Sequence, residues 1–183
     1  MPITTTMQGT SNVTGRVLVV EDDAHSRELI QRRLVGLGHE VETSPDGKQA
    51  VDLLTEDFDV IVLDLNLPDT DGFALTKSIR ETEALKDIPI LICTAADDKP
   101  SRIEAVRVGA NDFIGKPIDQ LELQVRVEAL TKLRHAQRVA KRRTQALEDS
   151  RAFLQATTAA LPNAVAIVDR RGAIVAKNDS WRS

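Results

Sequence analysis

The chain has 183 residues, 42% of them hydrophobic and 28% charged, with a formal net charge of −4. That length suits one ordinary domain plus an appendage, and the charge balance excludes a general pull toward nucleic acid or an anionic membrane. No apolar stretch approaches the roughly 18 residues of a membrane span. The opening "MPITTTMQGTSNVTG" reads as a disordered polar tail over residues 1–15, without the basic-then-apolar pattern of a secretory signal. The single cysteine, Cys93, lies in the apolar run "IPILIC"; no internal disulfide can form, and a buried structural thiol in a cytoplasmic protein is expected.

Five short apolar runs follow the tail: "RVLVV", "HEVET", "DVIVLDL", "IPILICT" and "DFIGK". Segments with helical features separate them. A helix over 26–35 stops at Gly36 and Gly38, one over 46–56 opens from "SPDG", and one over 102–108 stops at Gly109. Strands alternating with helices predict parallel pairing through crossover connections. Residues 17–20, 60–63 and 90–93 are apolar at every position, which marks strands covered on both faces. The expected fold is therefore a doubly wound α/β domain over about residues 16–130.

After Lys116 and Pro117 the pattern changes. Asp119 can cap a helix with Glu122 closing a capping box, and neither glycine nor proline appears again until Pro162. A helix of roughly 40 residues is predicted. Leu133, Ala140, Leu147, Leu154 and Leu161 recur at every seventh position, but Gln137, Thr144, Arg151 and Thr158 at the companion positions are polar. Half a coiled-coil seam implies weak or adjustable pairing, and a homodimer through this helix is expected; the plainer alternative is a solvated helix resting one face on the sheet. The basic residues Lys132, Arg134, Arg138, Lys141, Arg142 and Arg143 surround that helix without a helix-turn-helix or stacking aromatics. They read as solvated surface, so no nucleic-acid contact is expected. His135 reads as surface too.

Side chains just beyond the carboxyl ends of the central strands of an open parallel sheet converge on its ligand crevice. The first strand ends in Glu21 and Asp22, the third in Asp64, the fourth in Thr94 and the fifth in Lys116. Packed carboxylates resist joint ionisation unless something positive sits among them. Glu21, Asp22 and Asp64 are hard oxygen ligands, which with a backbone carbonyl and waters match the octahedral demand of Mg²⁺. One carboxylate must stay accessible as a nucleophile toward a phosphoryl group. Asp64 is the candidate, because "LNLPDTDG" follows it as a loop held open by Pro68 and Gly72. The Lys116 ammonium and Thr94 hydroxyl suit the charge on the transferred oxygens. Taken singly, each residue has a bland explanation: an acid as a helix cap, Thr94 as a strand-end hydroxyl, Lys116 as a surface charge, Phe113 as a core aromatic. Their joint placement at four strand ends favours a site.

These motifs resemble the receiver domain of two-component response regulators over about residues 16–130. The resemblance implies a flavodoxin-like five-stranded parallel sheet of order 2-1-3-4-5, followed by an extended C-terminal helix. In "VVED", Asp22 matches the direct metal ligand and Glu21 the water-mediated one. "VIVLDLNLPDTDG" carries the phosphoacceptor position at Asp64 and, at Asn66, the residue whose backbone carbonyl reaches the metal. "LICTA" puts Thr94 at the switch hydroxyl, "DFIGKP" puts Lys116 at the lysine position, Phe113 matches the aromatic switch, and Pro117 stands where a cis peptide bond is usual. The implied partner is a histidine kinase or phosphotransfer protein, and phosphorylation draws Thr94 inward with Phe113 following. Ala96 offers no polar group to position hydrolytic water, which implies a phosphoryl group that is not especially short-lived.

The last stretch, "ALPNAVAIVDRRGAIVAKNDSWRS", resembles the start of a PAS sensory domain, with two short strands around Asp169 and Gly172, then Asn178 and Trp181; a simple terminal hairpin is the alternative. The expected organisation is a tail at 1–15, a receiver at 16–130, a coiled-coil-like helical linker at 131–160 and a partial PAS-like segment at 161–183. Two other classes compete with a signalling module. A Mg²⁺-dependent phosphohydrolase would use Asp64 as nucleophile, but wants an acid two residues on, where Asn66 stands. A dimerising scaffold leaves the acidic crevice unexplained.

Overall fold

A computed structural model of the chain describes residues 13–95, 99–160, 163 and 165–178. Most of the tail, Ala96, Leu161 and Trp181 lie outside the described residues. The chain divides into two compact units, one through Gln137 and one from Arg138.

The first unit is built on a five-stranded parallel sheet of order β2-β1-β3-β4-β5. Its strands are β1 (Arg16–Val20), β2 (Glu40–Ser44), β3 (Val60–Asp64), β4 (Ile90–Ala95) and β5 (Asp112–Lys116). Between them run α1 (Ala24–Gly36), α2 (Gly47–Leu53), α3 (Gly72–Glu81) and α4 (Lys99–Arg107), and α5 (Gln120–Ala160) follows the sheet. The all-apolar strands are buried on both faces because successive side chains point to opposite sides. Leu18, Val20, Ile61, Leu63, Ile90 and Ile92 pack with Ala50, Leu75, Ile79 and Ala105 of α2, α3 and α4. Val17, Val19, Val60, Val62, Leu91 and Cys93 pack with Ile30 and Leu34 of α1 and Leu123, Val127 and Leu130 of α5. Burial pushes the Cys93 thiol well above its ordinary pKa, leaving it an inert core group.

Local chemistry sets the helix ends. Asp23 caps α1 by accepting from Ser26 N at 2.8 Å, and Asp46 caps α2 by accepting from Gln49 N at 2.7 Å. Gly38 takes a positive φ of 93° just past α1, and Gly109 the same value past α4. Several expectations need correction, beginning with the first helix, which starts at Ala24 rather than at 26. The second helix ends at Leu53 rather than at 56, because Leu54 turns extended and the chain then delivers Phe58, fully buried, into the core. The fourth starts at Lys99 rather than at 102. Asp119 does cap α5, accepting from Leu121 N and Glu122 N, each at 2.9 Å, but the capping box stays half made: the Glu122 carboxylate accepts instead from Arg126, at 2.9 Å from Nε and 2.6 Å from Nη2.

Along α5 the basic residues divide. Lys132 pairs with Glu128 at 2.7 Å on the solvated side, as expected of a charged helical face. Arg134 departs from that expectation: it is buried, and its Nη2 donates to Glu56 O at 3.0 Å, the guanidinium satisfying a carbonyl left over when α2 ends early. His135 is partly exposed, with Nε2 3.6 Å from Asp59 Oδ1. In the second unit, β6 (Ala166–Val168) and β7 (Ile174–Lys177) form an antiparallel hairpin. Its turn is closed by Asp169 N donating to Ala173 O at 2.9 Å and Gly172 N to Asp169 O at 3.0 Å, with Gly172 at φ 82°. Among the described residues no helix is long and apolar enough to cross a membrane.

At the start of β2, buried His39 accepts from Gly15 N at 3.2 Å through Nδ1. Burial holds its imidazole below the ordinary value, against the opposing pull of the Glu128 and Asp59 charges. The unfolded chain therefore binds a proton, below about pH 6.5, that the folded chain refuses. Stability from this group is complete above that pH and is lost as pH falls toward the folded value. Urea melts at pH 7.5 and 5.5 should show a smaller loss for His39→Asn than for the native chain; parallel losses would contradict this.

Candidate functional site

Parallel pairing brings the strand ends level. Val20 is in register with Leu63, Asp64 with Cys93, and Ala95 with Lys116, so the residues leaving β1, β3, β4 and β5 meet at one edge. Glu21 follows β1 directly and its N–H donates to Ser44 O at 3.1 Å, which extends the ladder to β2. Asp64 ends β3 and Thr94 lies in β4; Glu21, Asp64 and Thr94 are all buried, while Asp22 is exposed. Carboxylate oxygens of Glu21, Asp22 and Asp64 lie within 4.8 Å of one another. The structure thus gathers Glu21, Asp22, Asp64, Thr94 and Lys116, as expected from the strand ends. The three adjacent acids part company: Asp23 turns away to cap α1.

Lys116 Nζ sits among the carboxylates, 2.8 Å from Asp64 Oδ2 and 2.9 Å from Glu21 Oε2, and donates to Glu21 Oε1 at 3.1 Å. Its contact with Oε2 is one of charge rather than an aligned hydrogen bond, so that buried oxygen has no hydrogen-bond partner among the described residues. Burial holds the Glu21 carboxyl above the ordinary carboxylate range, and the Asp64 and Asp22 charges add to this against the pull of Lys116. For Lys116 burial acts to lower the pKa, but the hydrogen bonds and charges of Asp64 and Glu21 outweigh it, and the ammonium is held above its ordinary value. One ammonium among three carboxylates leaves a negative excess. With an orphaned buried oxygen and a purely carboxylate donor set, the pocket fits a hard divalent cation.

The wall of the pocket is the loop from β3 to α3. An open cleft of about 580 Å³ is lined by residues including Asp64, Asn66, Thr70, Thr94 and Lys116. Asn66 bridges to Asp71, and Asp71 caps α3 by accepting from Phe73 N at 2.9 Å. Gly72 N donates to Leu65 O at 3.0 Å, and a Cβ on Gly72 would stand 2.5 Å from Asp64 O. Thr94 Oγ1 is buried without a hydrogen-bond partner among the described residues. Phe113 is half-buried on β5, with the Arg126 guanidinium 5.9 Å from its ring centre. The Lys116–Pro117 peptide is cis.

Two residues near the site carry no signal in the sequence. Asp69 accepts from Gly47 N at 2.9 Å and Lys48 N at 2.8 Å, tying the loop to the start of α2; within "PDTDG" it reads only as a turn residue. Arg27 reaches back from α1 to two carbonyls of the acidic turn, and the reach of a long side chain is invisible to spacing.

Residues 17–128 match the family described as the response regulator receiver domain. The chain belongs to that family. Among curated relatives, the receiver is 40% identical over 116 residues to response regulator MprA of Mycolicibacterium vanbaalenii, covering 63% of this chain and 49% of that protein. It is 34% identical over 123 residues to response regulator PleD of Caulobacter vibrioides, covering 67% of this chain and 27% of the relative. The chain thus spans from about a quarter to half the length of these relatives. Among solved structures, the non-phosphorylated HemR receiver domain from Leptospira biflexa superposes with a TM-score of 0.59 at 36% identity, covering 64% of this chain and 94% of that one. The receiver domain of sensor histidine kinase PA1611 from Pseudomonas aeruginosa, with magnesium coordinated in its active-site cleft, gives 0.59 at 31% identity, covering 65% and 98%. The chain therefore contains a receiver domain of two-component response regulators, a signalling module.

Because the Gly72 backbone lies against the Asp64 carbonyl, Gly72→Ala should displace the end of β3. It should destabilise the receiver by about 1–3 kcal/mol, the usual cost of overpacking. Chemical denaturation checks this; a cost near zero would mean the loop gives way freely.

Proposed function

We propose that this receiver accepts a phosphoryl group on Asp64 from a histidine kinase or phosphotransfer protein, with Mg²⁺ in the acidic pocket. Supporting this above all is the Lys116 ammonium 2.8 Å from Asp64 within a cluster of carboxylates, beside a buried Thr94 hydroxyl without a partner. Glu21, Asp22, Asp64 and the Asn66 carbonyl would hold the ion, which when bound offsets carboxylate repulsion and the charge on the phosphoryl oxygens.

Asp64 is the nucleophile: a carboxylate oxygen forms the new P–O bond as the P–N bond to the donor imidazole breaks, and the bonding pair leaves on the imidazole nitrogen. Lys116, already paired with Asp64, then turns its ammonium to a phosphoryl oxygen. The Thr94 hydroxyl donates to another, and Phe113 moves into the space that Thr94 leaves. The half-buried position of Phe113, next to Arg126 of α5, supports a route from the pocket to that helix.

The organisation that suits this function is a tail at 1–15, the receiver at 16–130, a helical linker at 131–160 and a PAS-like segment at 161–183, in a cytoplasmic signalling protein. A homodimer through the linker is supported by Leu133, Leu147 and Leu154, which are 40%, 72% and 47% exposed in the single chain. A helix with so little apolar cover is marginal alone in water. The seam is half polar, so its pairing is adjustable by the few kcal/mol that phosphorylation supplies. The hairpin of β6 and β7, with Val168, Ile174 and Val175 exposed, suits the opening of a larger sheet, since two strands alone are marginal.

Incubation with Mg²⁺ and acetyl phosphate should add a single phosphoryl mass to the native chain and none to Asp64→Asn; equal labelling of both would refute the assignment of Asp64. Light scattering with and without beryllofluoride should reveal a change in dimer population or shape. An identical profile would count against signalling through the linker.

A further inference from the structure

One basic side chain at the pocket has no part in the chemistry above. Arg27 stands in the first turn of α1, and its Nη1 donates to two main-chain carbonyls, Glu21 O at 2.7 Å and Asp22 O at 3.0 Å. Both carbonyls belong to the turn between β1 and α1. The first α1 hydrogen bond uses the next carbonyl along, with Arg27 N donating to Asp23 O at 2.9 Å. Backbone carbonyls outside ladder and helix need partners from side chains or water. Arg27 supplies both.

The rest of the turn is anchored at either end. Glu21 N is held by Ser44 O at 3.1 Å, and the Asp23 carboxylate is held by Ser26 N at 2.8 Å. The segment whose orientation Arg27 decides is therefore Glu21 and Asp22, the two acids that share the pocket with Asp64. With their carbonyls turned to the guanidinium, these residues present carboxylates to the pocket.

We infer that Arg27 is a positioning residue of the cation pocket, fixing the backbone from which the Glu21 and Asp22 carboxylates are aimed. The inference rests on the magnesium site proposed above. Geometry and charge oppose each other here. A guanidinium close to a cation site weakens cation binding by repulsion, whereas one that fixes the ligand backbone strengthens it. Removing the side chain therefore reports which effect dominates.

Calorimetric titration of Mg²⁺ into the native full chain, Arg27→Met and Arg27→Lys is the test. Arg27→Met should raise the Mg²⁺ Kd about tenfold, the low end for loss of a group that orients metal ligands. Arg27→Lys keeps the charge but loses the branched guanidinium, and should weaken binding by a smaller factor. Should Arg27→Met fail to fold, the outcome is judged on Arg27→Lys alone. Binding as tight as native, or tighter, in the folded variants overturns the positioning role while leaving the magnesium site intact. A native chain that takes up no Mg²⁺ overturns the site and this role together.

Discussion

The structure turns on a crowding of like charge. Parallel pairing in one sheet brings Glu21, Asp22 and Asp64 to a single edge, with carboxylate oxygens within 4.8 Å of one another, where like charges repel. Lys116, at the end of β5, is the internal remedy. It reaches Glu21 and Asp64 together, and their charges keep it protonated despite burial. The remedy is partial: burial above all, with the Asp64 and Asp22 charges added, holds the Glu21 carboxyl above its ordinary range in spite of Lys116. A pocket in that condition is poised to take further positive charge, and the proposed magnesium site and phosphoryl chemistry both draw on the same deficit.

The other features of the site serve to hold that crowding in place. Gly72 lets α3 start against the Asp64 carbonyl, where a Cβ would find only 2.5 Å. Asp69 fastens the same loop to the first amides of α2. Arg27 takes the carbonyls on the opposite wall. Each is a main-chain restraint on a segment beside the acidic cluster. Thr94, buried with an unpartnered hydroxyl, is the member that an incoming acceptor oxygen would satisfy.

The strands were legible in the sequence because burial on both faces leaves unbroken apolar runs. β1 coincides with "RVLVV", and β3 lies within "DVIVLDL". The site residues were legible for a related reason: in a parallel sheet the residue that ends an apolar run is also the residue that enters the crevice. What escaped was set by tertiary competition. The 46–56 segment has helical features throughout, but the demand of Phe58 for the core ends α2 early. Arg134 reads as one of six basic surface residues, yet the carbonyl at Glu56 draws it inward. Glu122 has the spacing of a capping box, and Arg126 holds it elsewhere. Long side chains choose partners in space, and spacing along the chain carries no record of that choice.

A receiver pocket in which Glu21, Asp22, Asp64, Thr94 and Lys116 together accept a phosphoryl group beside a divalent ion, as proposed, has a direct readout: the amide spectrum of the isotopically labelled chain during addition of beryllofluoride at saturating Mg²⁺. The Asp64, Thr94 and Lys116 signals should move together with one apparent affinity, and Asp64→Asn should not respond. An unchanged native spectrum, or an equal response from Asp64→Asn, would contradict the proposal.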